Sequence, residues 1–222
     1  MDQIPMKRIS IQVSLSGYSF RIYEAGELVS CSGWIPSGEV ESASELTGTY
    51  DQVLLSVMTP KITLVPDTFF DPQTAGELLS RTVELAPSDK IGRIRLEEYS
   101  AWLVFSLDGC MQPVPSVSGL EAPDPLPEMF FLLKDILKLD HYNRIVASYA
   151  DGYLHLAIAQ DRTLLLSNVF EAPDFTTAEY YIFLAMKKLQ LNPEVSVIHF
   201  RTPLSEEQEL SLYRYFKGVE RL

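Results

Sequence analysis

Two cysteines, Cys31 and Cys110, are all that the 222 residues contain, and their spacing is that of neither a disulfide scaffold nor a thiolate metal site. Neither fits a nucleophile. Cys31 has no basic neighbour or helix start to lower its pKa, and Asp108 near Cys110 opposes a thiolate. Positive charge is also scarce: 18 Lys and Arg stand against 30 Asp and Glu, a formal net charge of −12. Such a surface repels duplex DNA, RNA and anionic membranes at long range, so no nucleic-acid partner is expected. Long apolar runs are missing too. After Lys7 and Arg8, the residues Ser10, Gln12, Ser14 and Ser16 interrupt the apolar positions in strand rhythm, so neither a signal peptide nor a membrane span is expected. The expected compartment is the cytoplasm, with both thiols reduced. The phosphate-binding patterns G-x-x-x-x-G-K-[ST] and G-x-G-x-x-G and the hydrolase elbow G-x-S-x-G are likewise absent.

What is present is a folded α/β pattern, 46% hydrophobic and long enough to bury a sizeable core. Its clearest stretch is 143–189. Ile145 to Tyr149, Tyr153 to Ala159 and Thr163 to Val169 are short strands, separated by the turns Asp151-Gly152 and Asp161-Arg162. A helix follows, with Thr176 and Glu179 at capping-box spacing and Phe175 placed to close over Tyr180. The chain begins in the same way. Ile9, Ile11, Val13 and Leu15 alternate, Gly17 turns into Tyr18, Phe20 and Ile22, and Leu28 to Trp34 makes a third strand. Ser42 and Glu45 then suggest a helix from Ala43 to Met58, with Leu46, Tyr50, Val53, Leu54 and Val57 at helical intervals. Lys61 to Val65 reads as a strand, Asp71-Pro72 as a helix start running to Arg81, and Ile91 to Glu97 as a strand. Ala101 to Leu107, the most continuous apolar run of the first half, reads as a central strand. Asp108 to Pro127 is rich in Pro, Ser and Gly and reads as a linker, before a helix through Phe130, Leu133, Ile136 and Leu137. Val195 to Phe200 is a strand. Ser205 with Gln208 starts a last helix, with Leu210, Tyr213 and Phe216 as its apolar stripe.

Strand, strand, strand, helix, strand, helix thus occurs twice. An offset of 135 places Gly152-Tyr153 over Gly17-Tyr18 and Val195 to Phe200 against Pro60 to Val65. The expected domains are a first half at residues 1–124 and a second half at 125–222, preceded by the connecting helix.

A unit of this order resembles the ribonuclease-H-like fold, and two in tandem resemble the actin-like ATPase superfamily. More closely, Thr63-Leu64-Val65-Pro66, Phe69-Phe70-Asp71, the Ala101 to Leu107 strand and Leu164 to Phe170 resemble domain-of-unknown-function family 3822, uncharacterised proteins of Bacteroidetes. The likeness covers about Ile9 to Leu222. It implies two degenerate actin-like halves with no assigned activity. Members continue beyond the helix matched by Ser205 to Lys217, which implies a second half cut short at its C-terminal end, without its closing strand.

In a working actin-like ATPase the first hairpin of each half cradles phosphate. The places to look are therefore Ser16 and Gly17 in the first half and Asp151 and Gly152 in the second, our candidate ligand-binding residues. The first turn has no acidic group, and a single Asp-Gly is what an ordinary hairpin requires. Where a later glycine pair would lie stands His199-Phe200-Arg201-Thr202-Pro203. A two-metal nuclease needs carboxylates on the central strands, which here carry Ile11, Val13, Leu15 and Ile145, Ala147, Tyr149. His141, His155 and His199 show no zinc-ligand spacing, and of these His155 and His199 are the pair the repeat could bring into one half. No catalytic residue, metal ligand or cofactor is expected. The adjacent aromatics on the last two helices are a candidate contact surface, represented by Tyr181, Tyr213 and Tyr215. The functional expectation is a non-catalytic protein-binding or scaffold protein with a protein partner or weak self-association. The alternative is a noncanonical nucleotide- or small-ligand-binding protein using a cleft between the halves.

Overall fold

The computed structural model describes residues 6–38, 46, 48–110 and 124–222. The chain forms two compact units. Met1–Met58 with Cys110–Leu126 makes the first, and Thr59–Gly109 with Pro127–Leu222 the second.

In the first unit β1 (Lys7–Val13), β2 (Gly17–Glu24) and β3 (Glu27–Cys31) form an antiparallel meander. The two-residue β4 (Ile35–Pro36) returns against the start of β2, and β5 (Gln52–Val57) lies parallel to β1. Period-two alternation puts Ile9, Ile11, Phe20, Ile22, Val53 and Leu55 in one apolar core. On the opposite face Ser10, Gln12, Ser19, Arg21 and Ser56 are buried as well, and Ser19 Oγ donates to Gln12 Oε1 at 3.1 Å. The helix expected from Ala43 to Met58 is corrected here, since Gln52–Val57 is a strand. Val53, Leu54, Leu55 and Val57 satisfy helical spacing and a short strand equally well, and the open edge of β1 decides between them. The Ser42–Glu45 cap lies outside the described residues. The third strand ends at Cys31 rather than Trp34.

The second unit is layered. β6 (Ile62–Pro66), β7 (Gly92–Leu96) and β8 (Ala101–Phe105) form an antiparallel sheet with β8 in the middle, as its continuous apolar run requires. The helix α1 (Ala75–Ser80) packs Ala75 and Leu79 against Val65 and Val104 on one face. After β9 (Leu126–Pro127), the last strand of the first unit's sheet, comes α2 (Glu128–Asp135), then the meander β10 (Asn143–Ala150), β11 (Tyr153–Gln160) and β12 (Thr163–Glu171). The helix α3 (Phe175–Lys188), β13 (Val197–Phe200), α4 (Glu206–Tyr213) and β14 (Gly218–Arg221) complete a five-stranded sheet of order β12-β11-β10-β13-β14. β13 runs parallel to β10, and β14 parallel to β13.

Ile145, Leu154, Leu156, Ile198 and Phe200 face α3 and α4, while Val146, Ala157 and Ala159 face α2 and the three-stranded sheet. Burial on both faces explains why β10 and β11 read as nearly continuous apolar runs. Both sheets therefore share an antiparallel meander with a further strand parallel to its first. That further strand is β5 in the first unit, so the offset that set Lys61 to Val65 against β13 is corrected: β6 belongs to another sheet. The closing strand left out by the sequence resemblance is present as β14.

Helix starts differ in detail. α3 is capped by Asp174, whose carboxylate accepts from Thr177 N at 2.7 Å, instead of by Thr176 and Glu179. An ionised acceptor on extended backbone meets the first amides two residues earlier. Phe175 packs on Tyr149 and Phe200, not on Tyr180. Ser205 and Gln208 do form the expected capping box of α4. Its buried residue is Leu212, however, with Phe216 buried just past its end and Leu210 and Tyr213 exposed.

At the exit of β13 stands a buried ionic cluster. Arg201 Nε donates to Glu128 Oε1 at 2.8 Å, its Nη1 donates to Asp135 Oδ2, and Ser148 Oγ donates to Glu128 Oε1 at 2.6 Å. The Arg201 amide also donates to Ala147 O at 2.9 Å. One side chain thus joins both ends of α2 to the sheet. Burial alone would raise the Asp135 carboxyl, but the Arg201 guanidinium beside it holds it below the usual carboxylate range. Replacing Arg201 by Met is expected to cost about 3–5 kcal/mol in urea denaturation, because the Glu128 carboxylate is left buried without its cation. Adding Glu128→Gln to that variant is expected to restore part of the loss.

His155 is fully buried on β11, with Nε2 2.9 Å from Thr59 O. Burial pushes its pKa below the ordinary 6.5. The unfolded chain therefore takes up the proton first, and stability falls as pH drops below 6.5. Denaturation midpoints measured from about pH 7 down to about pH 5 are expected to fall more steeply in the native chain than in His155→Gln.

Candidate functional site

The four turn residues lie in two hairpins, one in each unit. In the β1–β2 turn Ser14 N donates to Gly17 O at 2.9 Å, Ser16 N to Ser14 Oγ at 3.3 Å, and Trp34 Nε1 to Ser16 Oγ at 3.2 Å. Two of the amides that a phosphate would need are thus engaged inside the turn. Gly17 has a packing role as well, since a Cβ there would stand 2.1 Å from Ile35 O. Its missing side chain makes room for β4.

In the β10–β11 turn Asp151 and Gly152 both have positive φ, 51° and 75°, the geometry of a two-residue primed turn. Gly152 O accepts from Ala172 N at 2.7 Å, and Tyr149 Oη donates to Ala172 O at 3.1 Å, so this turn is pinned to the segment leading into α3.

The three tyrosines do not form one surface. Tyr181 stacks on Phe170 of β12, with ring centroids 4.8 Å apart. Tyr215 packs edge-on against Phe183 at 4.9 Å, and Tyr213 Oη donates to Val219 O at 2.9 Å. Positions 181 and 183 are two apart on a helix and project from different sides of it, so α3 separates Tyr181 from Tyr215. His155 and His199 do not meet either. His155 approaches Thr59, while His199 lies against Glu220 and His141.

Around Tyr181 the second unit has a groove of about 270 Å³ between β12 and α3. Leu166, Asn168 and Phe170 line it from alternate positions of β12, and Tyr181, Leu184, Ala185, Lys188 and Leu189 from one side of α3. The lining residues are apolar apart from Asn168 and, at the C-terminal end of α3, Lys188. β12 is the outermost strand of its sheet, and among the described residues no strand pairs with its outer edge. Of these residues the aromatic pairs in the sequence pointed only to Tyr181. The alternation of 166, 168 and 170 and the spacing of 181, 184, 185 and 188 were visible, but which strand would lie beside α3 at the sheet edge was not.

The fold agrees with that of a known structure. A Bacteroides thetaiotaomicron protein with actin-like ATPase fold and unknown function superposes with a TM-score of 0.64 at 18% identity, over 98% of this chain and 91% of that one. A structure of the PilM–PilN type IV pilus biogenesis complex matches with a TM-score of 0.45 at 11% identity, over 97% and 88%. An Aquifex aeolicus PPX-GPPA enzyme matches with a TM-score of 0.36 at 10% identity, over 95% and 73%. No curated protein matches the sequence. The chain therefore has the actin-like ATPase fold, and since residues 39–219 match the model of the family described as protein of unknown function (DUF3822), it belongs to that family.

Proposed function

We propose that this chain is a non-catalytic binding protein, built from two degenerate actin-like halves, whose β12–α3 groove receives an extended segment of a partner protein. The observation that carries this reading is an apolar groove beside an outer strand edge. An extended chain laid along β12 gains main-chain hydrogen bonds from that edge and can turn alternate side chains into the groove, the physics of strand addition. At about 270 Å³ the groove has room for a few side chains. Lys188 sets the polarity, so the fitting segment has alternate apolar residues and an acidic group toward that end. Among the described residues no helix is long and apolar enough to cross a membrane.

Peptide display against the purified chain is expected to enrich such segments. Their affinity in fluorescence polarisation should weaken about tenfold with Tyr181→Ala, a loss of roughly 1.4 kcal/mol, and disappear with Leu184→Asp, while Tyr213→Ala leaves it unchanged. No enrichment, or equal binding by Leu184→Asp, overturns the proposal.

The alternative of nucleotide binding between the halves gains no support from the turns, where Ser14 N and Ser16 N already have partners and β4 fills the space in front of Gly17. ATP with Mg²⁺ is expected to leave the melting temperature unchanged, and a concentration-dependent rise would favour that alternative.

A further inference from the structure

We propose that His141, His199 and Glu220 form a binding site for a divalent transition-metal ion of the zinc type, with two imidazoles and one carboxylate as its protein ligands. This inference stands apart from the groove and does not rest on it.

The site is assembled by sheet register. His199 on β13 stands directly opposite Glu220 on β14, and both project to the same face because strand parity alternates. Ile198, Phe200 and Val219, their neighbours in sequence, all point into the core beneath α3 and α4. His141 arrives from the segment ahead of β10, and its ring lies 5.3 Å from that of His199. One ligand atom from each of the three residues falls within 4.8 Å of the others, and His199 Nε2 is 3.1 Å from Glu220 Oε2.

These separations suit a shared ion. With metal–ligand bonds of about 2.0–2.1 Å, donors around a tetrahedral centre stand roughly 3.4 Å apart, so the His199–Glu220 edge already has that size. An inward swing of the exposed His141 ring brings the third donor into place. The donor set selects the ion: imidazole nitrogens disfavour calcium and magnesium, and two nitrogens with one carboxylate oxygen are a set that zinc accepts. Exposure is divided in the same sense. The His199 ring is 2% exposed and fixed in the sheet, while His141 and Glu220 face solvent and leave a path of entry. Three protein donors leave a fourth position for water or an anionic group.

The alternative for these residues is a hydrogen bond between His199 and Glu220 with His141 merely adjacent, and a metal titration separates the two. The full-length chain, free of any histidine tag and stripped with a chelator, is titrated with Zn²⁺ by calorimetry, and Co²⁺ is added separately as a spectroscopic probe. One Zn²⁺ per chain is expected, with a visible Co²⁺ absorption of the intensity that marks low coordination number. His141→Ala and Glu220→Gln alter exposed groups and spare the buried ring. Each is expected to weaken Zn²⁺ binding by about tenfold or more while the metal-free protein keeps its circular dichroism and melting temperature. Absence of Zn²⁺ binding in the native chain, or binding that either variant leaves unchanged, overturns the proposal.

Discussion

A guanidinium held away from water by carboxylates on both ends of one helix is the constraint on which the second unit depends. Arg201 leaves the end of β13, reaches Glu128 at the start of α2 and Asp135 at its end, and through its own amide holds Ala147 of β10. α2 is only eight residues long, too short to be stable on its own. The cluster fixes its position along the sheet, and Met129, Leu132 and Leu133 then fill the layer between the sheets. Apolar packing supplies the driving force here, while the ionic cluster ties both ends of α2 to the exit of β13.

Most of the fold was legible in the sequence because its signals are local. Asp151-Gly152 and the Asp161 turn delimit three strands, Ala101 to Leu107 announces a central strand by its unbroken apolarity, and Ser205 with Gln208 marks a helix start through a bond between residues three apart. The errors occur where a distant partner decides. Gln52–Val57 has both helical and strand spacing, and only the open edge of β1 resolves the choice. The inward side of α4 depends on what lies beneath it, so Leu212 is buried and Leu210 is not.

The candidate sites show the same division more sharply. Hairpin residues were found because turns are local, yet their geometry gives them packing roles, with Gly17 making room for β4 and Gly152 receiving the Ala172 amide. The groove and the His141–His199–Glu220 cluster were missed because each is made by elements far apart in the chain and adjacent only after the sheet has formed. No spacing rule connects positions 141, 199 and 220. The parallel register of β13 and β14 does so directly.

The interleaving of the two units along the chain bears on how the protein emerges from the ribosome. The first unit comes from residues up to 58 and from 110–126, while the second begins at Thr59, breaks off at Gly109 and resumes at Pro127. When the three-stranded sheet has been made, Leu96, Leu103 and Phe105 have nothing to cover them, since Met129, Leu132, Val146 and Ala157 are still to be synthesised. At about 5–20 residues per second the apolar face stays open for several seconds. Nascent chains between Gly109 and Ala157 therefore carry an apolar face that the finished unit covers.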